Sequence, residues 1–222
     1  MLRALAALIG LSCMLGLPAQ AMDHPAPYGT AKVNNIYNML FCDDPALFKD
    51  QNGQERFGAG APVADVRKIA EDENEESRVR ALAYNWLRAR KESVLPGKVL
   101  GVIFEVPIDN GLDTLAVYAD GRVRYINHTR VMSIFEGTPP EIAAAGKAIV
   151  TSAATVVGSF KISDKDRAPP PTVEVRVTLL ASDGLYVAQE SWREIGSDPK
   201  LGPVVLKAAQ LLQLVVKTVN GN

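Results

Sequence analysis

The side chains best suited to chemistry in this chain are few, and they are scattered. Two cysteines and two histidines make up its whole stock of thiols and imidazoles. Nucleophilic catalysis needs a thiol or hydroxyl, a base within hydrogen-bond reach and donors for an oxyanion. Cys42 is the obvious thiol, yet it stands beside Asp43 and Asp44, and negative neighbours raise a thiol's pKa instead of activating it. His24 lies in a leader rich in proline and glycine, and His128 at the end of a strand. The expectation is therefore an inert, half-buried Cys42 with no His128 partner. There is no Gly-x-Ser-x-Gly elbow for a serine hydrolase.

Metal and cofactor chemistry are equally thin. Zinc takes Cys and His in numbers, and one retained cysteine with two distant histidines forms no ligand set. Asp109 and Asp113 flank one loop and could meet calcium weakly, but a hairpin turning on Asn110-Gly111 explains them better. Gly58-Ala59-Gly60 precedes Pro62 with no strand before it and no lysine at the phosphate position, so it reads as a hinge. A glycosidase needs two carboxyls facing one cleft. With 25 acidic residues, Glu105, Glu136 and Glu190 are candidates that spacing alone cannot promote. The expectation is no catalytic, cofactor or metal residue.

Met1 to Ala21 has the form of a secretory signal: Arg3, an apolar run from Leu5 to Leu17, and the small-x-small site Ala19-Gln20-Ala21. Cleavage there starts the mature chain at Met22 and discards Cys13, leaving Cys42 without a disulfide partner. An exported protein of this size without disulfides suits a bacterial periplasm, with secretion as the other destination. The mature chain carries 23 basic and 25 acidic residues, so no global field draws it to nucleic acid.

The elements that must position any site follow from periodicity. Residues 22–95 read as a helical N-terminal region. In it Val33, Ile36, Tyr37, Leu40 and Phe41 fall at helical spacing, Pro62 opens a second helix, and Val79, Leu82, Ala83, Trp86 and Leu87 define the strongest apolar face between Glu75 and Lys91. Residues 96–222 read as an α+β domain. Strands run from Val99 to Val106, Thr114 to Ala119 and Arg122 to Asn127, with Arg122 and Arg124 expected to face water. Thr138-Pro139-Pro140-Glu141 has capping-box form and opens a helix to about Gly158. A second hairpin follows around Asp183-Gly184, then a helix from about Leu201 to Val219.

Strand, Asp-Gly turn, strand and helix thus occur twice, the two turns lying 63 residues apart. The fold expected is α+β: a mainly antiparallel sheet of two Asp-Gly hairpins plus a further strand, covered by helices. This order of elements is similar to profilin-like and roadblock-like folds, a likeness that carries no function.

Between Val204 and Val219 the last helix carries more apolar surface than one sheet contact needs. Burial on two sides within the monomer is the first expectation, and a partner interface or homodimer through Leu212 and Val216 the second. Lys207, Lys217 and the short length argue against a membrane span. The functional expectation is an exported, non-catalytic binding or assembly protein. The alternative is a small hydrolase or lyase with a carboxylate site between the sheet and the N-terminal helices.

Overall fold

From Val99 to Phe104 every residue is apolar or glycine, a run suited to a strand covered on both faces. In a computed structural model describing residues 24–49, 56–109, 111–160, 162–163 and 167–220, this stretch belongs to β1 (Val99–Ile108) inside an antiparallel sheet. β2 (Gly111–Tyr118), β3 (Val123–Ile126) and β4 (Met132–Phe135) follow on one side, and β5 (Glu174–Ala181) and β6 (Gly184–Ser191) on the other. The order is β4-β3-β2-β1-β5-β6. The segment Met1 to Ala21, expected to be a secretory signal, lies outside the described residues. Gly101 is fixed by crowding: a Cβ there would stand 2.9 Å from the Tyr118 ring and 3.0 Å from the Val117 carbonyl.

One face of the sheet carries Val102, Phe104, Leu115, Val117, Val177 and Leu179 into a core with α4 (Pro140–Ala154) and α6 (Gly202–Asn220), two further helices of the chain. The other carries Leu100, Ile103, Ala116, Tyr118, Ile126 and Leu180 into a second core. That core is built with α1 (Ala31–Met39), α2 (Val63–Glu71) and α3 (Ser77–Ala89). The chain is therefore an α+β layer with helices on both sides of one sheet.

Both Asp-Gly turns fasten the N-terminal helices to the sheet. Asp120 Oδ2 accepts from the Ser77 amide at 2.8 Å while Ser77 Oγ accepts from the Asp120 amide at 3.0 Å, so the first turn caps α3. At the second, Asp183 Oδ1 accepts from the Gly97 amide, and the neighbouring Ser182 carbonyl accepts from Arg88 at 2.7 Å.

Several expectations change. Arg124 does not face water, because α1 to α3 cover its side of the sheet. It is buried, donating to the Val123 and Phe135 carbonyls and to Glu136. The capping box at Thr138 does not form: Pro139 is the N-cap, without a side-chain bond, and α4 ends at Ala154 instead of Gly158. A short helix, α5 (Trp192–Ser197), follows β6 directly, and its own capping box pairs Ser191 with Glu194.

α6 is also covered less than expected. Val204, Val205, Ala208, Leu211 and Val215 are buried, but Leu206, Val216 and Val219 are exposed, because α4 and the sheet meet adjoining sides of the helix and leave the next flank open. Its length and composition do not exclude a membrane span, since Gly202–Val219 averages 1.2 in hydropathy. Its packing is that of a core helix along the buried side.

Candidate functional site

Two regions gather side chains with something left to do. The first is the open flank of α6. At its border with the sheet Val205, Ala209, Leu212, Val216 and Val219 recur at helical spacing, passing from buried Val205 through half-buried Ala209 and Leu212 to exposed Val216 and Val219. Between this flank and the strand residues Val106, Leu115 and Tyr125 lies a narrow apolar slot of about 20 Å³, room for one water molecule. Beyond each end of the slot the surface opens. Near Trp192 and Leu206 there is a groove of about 630 Å³. Near Val131, Val216 and Val219 there is another of about 280 Å³. Among the described residues, five of the nine large apolar side chains that stand exposed, Val131, Trp192, Leu206, Val216 and Val219, line these two grooves. Leu212 lines the slot, half-buried, and Val216 the second groove.

Polar groups mark the second groove. Asp113 accepts from the Tyr125 hydroxyl at 2.6 Å and the His128 amide at 2.7 Å, and faces His128 Nδ1 at 3.0 Å. Burial and the hydrogen bond to Asp113 both hold the Tyr125 hydroxyl in its protonated form. Asp113 is thus spent on internal bonds. Asp109 sits in the two-residue turn of the β1–β2 hairpin, where Ile108 pairs with Gly111. Among the described residues no three His, Cys, Asp or Glu side chains gather as a metal would need.

The second region lies beneath α1. Glu105 alternates with Ile103 onto the face covered by the N-terminal helices, and it is fully buried. Its Oε1 accepts from the Tyr37 hydroxyl at 2.6 Å, whereas Oε2 has no hydrogen-bond partner among the described residues. Burial pushes this carboxyl up to about 7, against the opposing pull of Tyr37, Arg176 and Arg167. Tyr28 closes the same corner, donating to Thr114 Oγ1 at 2.7 Å.

Arg167, from the proline-rich connector before β5, lies over the Phe41 ring at 4.5 Å and pairs with Asp43 at 2.9 Å. Its Nη2 is 3.0 Å from His24 Nδ1, while His24 Nε2 is 2.6 Å from Asp44. A guanidinium only donates, so Nδ1 must accept and Nε2 must carry the proton given to Asp44. His24, expected in a loose leader, is held at both ring nitrogens.

Cys42 and His128 do not meet. Cys42 packs in the core beneath the N-terminal helices, whereas His128 faces the α6 side of the sheet. Burial pushes the Cys42 thiol up to about 12, with Arg78 opposing and Asp43 reinforcing the rise. Nor do the three carboxylates converge: Glu136 is held by Arg122 and Arg124, and Glu190, opposite Val175, lies on the other face from Glu105. Sequence reading missed Tyr37 and Arg167. The available signal was Glu105 itself, a single acid in the apolar run from Val99 to Val106. No protein-family model matches the chain, and no curated protein matches it either.

Proposed function

We propose that the chain is an exported, non-catalytic binding or assembly protein whose working surface is the open flank of α6. The two grooves carry this reading: exposed Trp192 and Leu206 line one and exposed Val131, Val216 and Val219 the other, and such exposed apolar clusters on a soluble protein mark interaction sites. The occupant is the apolar face of a partner protein's helix. Leu206 and Val216, at the two grooves, are ten residues apart, or about 15 Å along α6, which matches anchors three turns apart on a docked helix. Gln210, Gln213 and Lys217 give the polar rim such a contact needs.

Export rests on the segment Met1 to Ala21. An intact mass beginning at Met22 in exported material supports it, and retention of that segment refutes it. For the surface, a photo-crosslinking residue is placed at Val216 in the exported protein. The expected result is one discrete heavier adduct that Leu212→Asp abolishes while the protein stays folded. No adduct, or the same adduct from a crosslinker at Lys32 on α1, overturns the reading.

Glu105 favours a second reading, the hydrolase or lyase with a carboxylate site beneath the N-terminal helices. A carboxyl near neutrality with one free oxygen is suited to moving a proton. Its complete enclosure weighs against it. Any measured turnover that survives Glu105→Gln removes this reading.

A further inference from the structure

The two edges of the sheet are treated differently. At β6 the edge is covered: Ile162 bridges to Tyr186, and the Ser163 amide donates to the Leu185 carbonyl at 2.8 Å. At β4 nothing among the described residues pairs with the outer edge. The strand reads Met132-Ser133-Ile134-Phe135, without the lysine, proline or bulge that protects an edge from other strands. Val131 is 52% exposed and Ile134 58%.

The hydrogen-bond phase of this edge follows from its inner side. The Asn127 amide donates to the Val131 carbonyl, and Tyr125 pairs with Ser133 and Val123 with Phe135. The groups of Val131, Ser133 and Phe135 therefore point toward β3, and those of Met132 and Ile134 point outward.

We propose that the chain forms a symmetric dimer by pairing β4 antiparallel with β4 of a second copy, Ser133 opposite Ser133. This register lets Met132 and Ile134 of each copy exchange both backbone bonds with Ile134 and Met132 of the other. It keeps side chains on matching faces, with Val131 beside Phe135 of the second copy. The paired segment stops short of Arg130, whose backbone is left-handed, and of Glu136, already held by Arg122 and Arg124. The dimer carries one continuous sheet, and it covers Val131 at the mouth of the smaller groove beside α6. The pairing does not depend on the α6 docking reading, because Ile134 shares the face of Arg124, opposite α6.

The test uses the protein from Met22 to Asn222, with mass measured by light scattering and sedimentation up to about 1 mM, since so short an edge gives a weak interface. A dimer is expected, and Ile134→Lys, at an exposed site, should give a folded monomer over the same range. Ser133→Cys should form a disulfide-linked dimer under mild oxidation, because non-hydrogen-bonded antiparallel pairs bring Cα atoms to about 4.5 Å. A monomeric wild type, a dimer that persists in Ile134→Lys, or no cross-link in Ser133→Cys overturns the proposal.

Discussion

Replacing Glu105 by Gln isolates one buried carboxyl. The glutamine keeps an acceptor for the Tyr37 hydroxyl but cannot ionise. Moving a carboxyl from 4.5 to about 7 makes its ionisation about 3 kcal/mol harder in the folded protein than in the unfolded chain, at about 1.4 kcal/mol per tenfold. The folded form holds the proton more tightly, so this contribution is complete below about 4.5 and lost as pH rises through about 7. The assay is urea unfolding of wild type and Glu105→Gln from pH 4 to 8.5, followed by tryptophan fluorescence, with other titrations cancelling in the difference. Wild-type stability should fall relative to the variant by about 3 kcal/mol across that range, most steeply midway between the two values, at about pH 6. Parallel stability curves would refute the reasoning, since they mean the carboxyl ionises as easily in the fold as in the unfolded chain.

Trp86→Ala should cost about 3–5 kcal/mol in urea unfolding, because the ring is buried in α3, lies under Arg90 at 3.5 Å and donates to the Gly58 carbonyl. Cys42→Ser should cost about 1–2 kcal/mol, and in wild type a thiol reagent near pH 8 should label Cys42 only at the unfolding rate, because burial holds the thiol protonated. Gly101→Ala should lose about 1–3 kcal/mol or more, since the added methyl meets the Tyr118 ring and the Val117 carbonyl; an unchanged melting temperature would show that β1 and β2 can move apart freely.

What the sequence disclosed tracks how local each signal is. The helix around Trp86 and the two Asp-Gly hairpins were legible because periods of 3.6 and 2 repeat within each segment. β4 spans only Met132–Phe135, too short for alternation to declare itself. α5 was missed although Ser191 and Glu194 spell its capping box, since six residues give no period. Arg124 was misplaced because alternation says which residues share a face but not that the second face is covered too. Glu105 stood out as a lone acid in an apolar run, but nothing local named Tyr37, 68 residues away, as its partner. On α6 the surplus of apolar residues was plain, but which side stays bare depends on where α4 lies.

The second core also fixes an order of events. Tyr28 reaches Thr114 across 86 residues, and the Tyr118 hydroxyl reaches the Leu40 carbonyl across 78. As synthesis proceeds, α1 to α3 can form turn by turn and α2 can meet α3, but the sheet face they cover is absent until β1 and β2 arrive. The first to be synthesised is among the last to be secured, and such long closures slow folding. Under the export proposed above, that delay would be useful: a chain crossing a membrane as an open thread cannot have its N-terminal helices locked into a finished domain ahead of the rest.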